Sequence, residues 1–128
     1  SRETAEEMIK ILFENWNEAL KNRTVLHCCE ASDNLFAFAK ENGIYIGIDG
    51  DITWSKKKQR FIQSVPLSML VLETDAPYLT PLALKETEKW NEPKNVAVVA
   101  EWVAKIKEIS IDEVGKVTNE NAQRLFGI

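Results

Sequence analysis

The 128-residue chain reads as an α/β protein built on a parallel sheet. Three observations predict this. Short β-prone runs alternate with amphipathic stretches, in the order α-β-α-β-α-β-loop-α-α. The β-prone runs are apolar on both faces, as strands covered by helices must be. The composition, 45% hydrophobic and 28% charged with five Gly and four Pro, is that of an ordinary globular domain and excludes a collagen-like or low-complexity chain.

Residues 4–22 predict a first helix. Thr4 and Glu7 have capping-box spacing, and Ala5, Met8, Ile9, Leu12, Phe13, Trp16, Ala19 and Leu20 recur at three- and four-residue steps on one face. Thr24 to Cys28 is a short strand. Ser32 caps a second helix that runs to about Asn42, with Gly43 suited to its C-terminal stop. Ile44 to Ile48 is a second strand, followed by an Asp49-Gly50-Asp51 turn. Ser55 to Ser64 is a short helix broken by Pro66, and Met69 to Glu73 is a third strand. A loop punctuated by Pro77, Pro81 and Pro93 follows, and such loops carry function more often than core. Pro93 fits the first turn of a long helix to about Lys107, lined by Val96, Val99, Ala100, Val103 and Ile106. Ser110 and Glu113 cap a last helix that ends at Leu125-Phe126-Gly127. With neither repeat nor linker, residues 1–128 form one domain in this reading.

The charge of −4 argues against binding polyanions by net charge alone. No window holds the ~18 apolar residues a membrane helix needs, and the N-terminus lacks the basic start and apolar run of a signal peptide. The adjacent Cys28 and Cys29 imply no disulfide framework and fit a reducing cytoplasm. Three parallel strands leave both sheet edges open. The chain is also too short for a complete eight-fold βα barrel, which takes about 250 residues. It is therefore expected to be a piece of a larger α/β fold or to associate.

Ligands of parallel α/β folds bind at the C-terminal ends of the strands. His27 ends the first strand, and Glu73-Thr74-Asp75 ends the third. Residues i and i+2 of a strand share a side, so Glu73 and Asp75 are expected to project together. An imidazole and two carboxylates at one rim suit a divalent metal such as Zn²⁺, Mn²⁺ or Mg²⁺. Structural readings stand beside this one: a lone strand-end His is commonly a hydrogen-bonded core residue, and Glu-x-Asp a helix cap or a solvated turn. The basic run Lys56, Lys57, Lys58 and Arg60 is either a DNA-backbone contact or a solvated helix face. Trp54 and Trp90 either stack on bases or anchor loops. Trp16 and Trp102 belong to apolar helix faces. Cys29, on the His27 side of the strand, is read as a small buried residue or a soft ligand, Asn91-Glu92 as a substrate contact or helix cap, and Tyr78 as packed within its loop.

These residues carry a resemblance. His27-Cys28-Cys29-Glu30-Ala31-Ser32 resembles the His-Cys-Phe-Ser-Gly-Ser stretch of the TatD-type metal-dependent deoxyribonucleases. Glu73 to Tyr78 matches that family's Glu-Thr-Asp-Ala-Pro-Tyr signature residue for residue. Asn91-Glu92-Pro93 matches its Asn-Glu-Pro motif. Thr118, Asn121, Ala122, Leu125 and Phe126 resemble its C-terminal pattern, and Ser1 to Ala5 the residues after a family histidine. The resemblance implies a TIM-type (β/α) barrel, of which this chain covers about the last three βα units as a partial barrel. It implies divalent metal ions (Mg, Mn or Zn) at the C-terminal rim and hydrolysis of DNA phosphodiesters. By position it makes His27 and Asp75 metal ligands, Asp75 also the residue that orients the attacking water, and Glu73 a helper in proton transfer or metal support.

The departures from the family pattern are also informative. The family's early His-x-His pair, bridging glutamate and further histidine have no counterpart in this chain. The isolated chain is accordingly expected to bind metal weakly and turn over little or nothing until a missing N-terminal half or a homo-oligomer completes it. Cys29, Glu30 and Ala31 replace Phe, Ser and Gly, and Glu30 adds negative charge near a phosphate. Leu82 to Trp90 holds no arginine where the family often has two. Alternatives are therefore a metal-dependent hydrolase of a small ester or amide, and a non-catalytic half-barrel that serves assembly.

Overall fold

The computed structural model describes residues 2–27 and 30–128. Among them the elements run α1 (Arg2–Asn15), β1 (Val25–Leu26), α2 (Asp33–Asn42), β2 (Tyr45–Ile48), α3 (Lys56–Ser64), β3 (Leu70–Leu72), α4 (Val96–Lys107) and α5 (Ile111–Phe126). The expected order holds, with the strands shorter than expected. The three strands form one parallel sheet in the order β1-β2-β3. Val25 pairs with Tyr45 and Leu26 with Ile46 on one side of β2. Ile46, Gly47 and Ile48 pair with Leu70, Val71 and Leu72 on the other.

Alternation along the strands divides the sheet into two faces. Leu26, Ile46, Ile48 and Leu70 join Ala5 of α1, Leu35 and Ala39 of α2, Phe61 and Ile62 of α3, and Val99 and Val103 of α4 in the main core. Tyr45 and Val71 face the other way and pack with Val25 and with Ala122 and Leu125 of α5. Asn121 ties that helix to the base of the sheet. Its Nδ2 donates to the carbonyls of Leu67 and Leu70 at 2.9 and 2.8 Å, at the entry to β3.

Local chemistry explains most element ends. Ser32 Oγ accepts the Leu35 N–H and Ser110 Oγ the Glu113 N–H, satisfying helix N-terminal donors. Gly43 closes α2 in the left-handed conformation, φ 65°, where its hydrogen spares the strain a Cβ brings.

The first helix departs from expectation. It stops at Asn15 instead of running to residue 22, and Thr4 lies inside it instead of capping it. Asn17 takes the backbone out of helix: its side chain accepts the Ala19 N–H and caps a 3₁₀ turn at Glu18–Leu20, the local competition that makes Asn a poor interior helix residue. The inner face is consequently Ala5, Ile9, Leu12 and Trp16, with Trp16 edge-on to Phe38. Met8, Phe13, Ala19 and Leu20 are exposed, Phe13 to 75%. Pro93 opens a 3₁₀ turn, Pro93–Asn95, and α4 begins after it.

Candidate metal centre

His27 follows β1 directly, and Glu73 follows β3. The Glu73 N–H still donates to Ile48 O at 2.9 Å, so the backbone keeps sheet pairing one residue beyond the strand. Its side chain lies over Gly47 of β2. A Cβ at position 47 would stand 2.8–2.9 Å from the carboxylate atoms, so the absence of a side chain there makes room for the acid. From this position Glu73 Oε2 meets His27 Nδ1 at 2.9 Å. On the opposite side of the ring, His27 Nε2 lies 3.7 Å from Asp75 Oδ1. All three side chains reach solvent, at 58% exposure for His27, 20% for Glu73 and 37% for Asp75.

The convergence comes by a different route than strand alternation. β3 ends at Leu72, and Asp75 has φ 55°, in the left-handed region. Asp is one of the few residues that tolerates this conformation. The turn it makes, closed by Tyr78 N–H to Asp75 O at 2.9 Å, aims its carboxylate back at His27.

The Glu73 hydrogen bond raises the His27 pKa, the Glu73 charge adds to this, and Asp75 and Asp49 contribute at longer range against a small opposing effect of burial. The carboxylate on Nδ1 also fixes which ring nitrogen carries the proton when the imidazole is neutral, and leaves the Nε2 lone pair facing Asp75. A histidine whose second nitrogen donates to a carboxylate is the usual arrangement of a metal ligand. With 3.7 Å between them, Nε2 and Oδ1 would be close enough to serve the same divalent cation. The donor set thus fits part of a divalent site. Among the described residues no three His, Cys, Asp or Glu side chains are gathered closely enough to hold a metal by themselves.

Beyond the three expected residues, the rim holds a second acidic group that sequence reading treated as a mere turn. Asp49, fully buried at the end of β2, accepts the Asp51 N–H at 3.0 Å. Asp51 pairs with Lys58 Nζ at 2.5 Å. Burial first, then its hydrogen bond with Asp49, pushes the Asp51 pKa up to about 6 against the opposing pull of Lys58. Lys58 is therefore largely buried against Asp51 and is not part of a solvated face, although it also borders the depression beside Lys57. Lys57 lines an open depression of about 540 Å³ with Glu30, Ser32 and Ser55. Glu30 also lines a smaller hollow of about 210 Å³ with His27, Met8 and Leu35, which places its charge beside the centre, as expected.

Trp54 carries the Lys85 ammonium 3.9 Å from its ring centroid, and Trp90 is 57% exposed. Tyr78 is 66% exposed, so its ring is not packed in the loop; only its backbone is held there. Asn91 neither faces solvent nor caps α4. It is 4% exposed and bonds the Asp75 loop. Cys28 and Cys29 lie outside the described residues.

The TatD related DNase family profile matches residues 1–127. The chain belongs to that family. TatD relatives include the uncharacterized metal-dependent hydrolase YabD of Bacillus subtilis, 34% identical over 130 residues that make up 100% of this chain and 49% of the relative. The human deoxyribonuclease TATDN3 is 33% identical over 126 residues, 98% of this chain and 43% of its own length. In fold, the chain superimposes on the Escherichia coli TatD homolog YJJV with a TM-score of 0.84 at 24% identity, covering 98% of this chain and 47% of that one. A TatD-family hydrolase from Entamoeba histolytica gives 0.79 at 20% identity, covering 94% of this chain and 46% of that one. The chain thus spans about half the length of its TatD relatives and forms a partial barrel. No helix among the described residues is long and apolar enough to cross a membrane.

Proposed function

We propose that this chain supplies one part of the divalent-metal site of a hydrolase that cleaves phosphodiester bonds of DNA, in a reducing cytoplasm. The observation that carries the reading is the His27 ring held between Glu73 at 2.9 Å and Asp75 at 3.7 Å at the C-terminal rim of the sheet. His27 Nε2 and Asp75 are the metal ligands. Glu73 holds the His27 Nδ1 proton, and so sets the tautomer and angle of the ring. Asp75, half-open to solvent, is the base that orients the attacking water. A bound divalent ion would lower the pKa of that water and offset charge on the phosphate. DNA as substrate is supported by the deoxyribonuclease names among the relatives, and the metal by those named metal-dependent hydrolases. The remaining ligands belong to the part of the barrel this chain does not span, and an N-terminal half or a second copy completes the site.

The test is cleavage of a single-stranded DNA oligonucleotide with added Mg²⁺, Mn²⁺ or Zn²⁺, beside metal binding by calorimetry. The chain alone is expected to bind metal weakly and turn over little. Asp75→Asn is expected to abolish binding, and Glu73→Gln to weaken it about 10-fold. Robust cleavage by the chain alone would refute the incomplete site. Unchanged metal affinity in Asp75→Asn would refute the ligand assignment. If phosphodiesters are inert where an ester or amide panel is cleaved, the substrate assignment fails.

The small donor set favours a second reading, a half-barrel that serves assembly. A metal-free, self-associated chain in solution would support it over the first.

A further inference from the structure

We infer that Asn91 is the positioning residue for Asp75: it pins the carbonyls on both sides of Asp75 and so holds that residue in the left-handed turn that aims its carboxylate at His27. The inference deepens the reading of Asp75 as a metal ligand and rests on it for its purpose, although its geometry stands alone. The stretch from Glu73 to Pro81 has few hydrogen bonds of its own. Ala76 N–H donates to Thr74 Oγ1 at 3.3 Å, and Tyr78 N–H to Asp75 O at 2.9 Å. Asn91 supplies the main ties from outside the stretch. Its Nδ2 donates to Thr74 O and Tyr78 O, each at 2.7 Å, with Leu79 O at 3.4 Å. Its backbone N–H donates to Pro77 O at 3.0 Å. The bonded carbonyls thus bracket Asp75, one immediately before it and three shortly after.

The amide has no freedom to turn over. Its Oδ1 accepts from Asn95 Nδ2 and from the Glu92 N–H, both at 3.0 Å, and Asn95 is itself anchored on Glu88 Oε2 at 2.8 Å. Two donors at one end identify that end as the oxygen, so the NH₂ must face the loop carbonyls. A carboxylate at position 91 would set an acceptor against acceptors. A hydroxyl would have a single proton for two carbonyls.

The experiment is backbone NMR on the metal-free chain, comparing wild type with Asn91→Asp. The Asp75 Cα and Cβ shifts report its left-handed backbone, and amide exchange reports the Tyr78–Asp75 turn. In Asn91→Asp the Asp75 shifts are expected to leave left-handed values. Tyr78 exchange is expected to rise about tenfold, the worth of one hydrogen bond, while the amides of β2 keep their protection. An Asp75 signature unchanged in the folded variant, or a parallel loss across β2, would overturn the inference. If Asn91→Asp does not fold, Asn95→Ala decides: it removes one partner of Oδ1 and should loosen Tyr78 about threefold. No effect at Tyr78 would then refute the proposal. Line broadening of His27 and Asp75 by Mn²⁺, measured in parallel, tests the ligand reading separately, so failure of either leaves the other to be judged.

Discussion

The sheet is clamped at its two ends by buried asparagines that use the same fork for different ends. At the base, Asn121 Nδ2 joins Leu67 O and Leu70 O, and the side chain is wholly buried on a long, well-packed helix. At the rim, Asn91 Nδ2 joins Thr74 O and Tyr78 O from a loop, among side chains that are half open to water. The Leu70 carbonyl, if released at the base, stays inside the protein and bears its full desolvation cost. A carbonyl released at the rim reaches solvent after a small local opening. The base fork therefore sustains the whole fold, while the rim fork determines where one carboxylate points.

The largest effect that would break this contrast is expected at the base. Asn121→Ala should lower global stability by about 2–4 kcal/mol, since it strands one buried carbonyl, Leu70 O, and one half-buried, Leu67 O. Asn91→Ala should cost about 1–2 kcal/mol. Urea midpoints check both, and equal losses would erase the distinction. Next comes Gly47→Ala. The new Cβ must displace the Glu73 carboxylate, with an expected loss of about 1–2 kcal/mol from overpacking. In a Glu73→Ala background the same change should cost little. A double-mutant cycle without coupling would mean that Gly47 is not the seat of the acid.

The acidic pair near the rim should show in the pH dependence of stability. The Asp51 pKa, about 6 in the fold, lies above its ordinary value. Its contribution is therefore full below the unfolded pKa, ~3.9, and is lost as pH rises through about 6. The urea midpoint of the wild type minus that of Asp51→Asn should fall between pH 4 and 7, and a flat difference would contradict the burial assigned to this carboxyl. The smallest effect is expected at Lys94, whose ammonium pairs with Glu92 and Glu88 on the surface. Exposed ion pairs add little, so Lys94→Met should leave the midpoint unchanged. A clear shift would place the strength of the rim network in its surface charge instead of its buried amides.

Much of the fold was legible wherever a local rule acts on its own. Ser32, Gly43 and Ser110 end their helices by capping chemistry that needs no tertiary partner. His27, Glu73 and Asp75 were legible as rim residues because the C-terminal ends of parallel strands lie along one edge of the sheet. Elsewhere, tertiary structure or a weak local rival decided the outcome. The apolar spacing of Ala19 and Leu20 was overruled by one side-chain hydrogen bond at Asn17, and Phe13, still inside the helix, falls outside the face that the core covers. Lys58 looked like its basic neighbours, and nothing local marked it for burial against Asp51. The aim of Asp75 depends on a left-handed turn tied from sixteen residues away, a distance over which no spacing rule applies.

Gly50 carries a last consequence. A Cβ there would stand 2.1 Å from the Leu79 carbonyl oxygen, and three residues on, Thr53 Oγ1 receives the Leu82 N–H at 2.9 Å. The turn leaving β2 and the long segment leaving β3 are thus fitted to one another with not a methyl's width to spare. Lengthening, shortening or exchanging either by itself would jam or gap the seam. A graft that exchanges one segment is therefore expected to need the other with it.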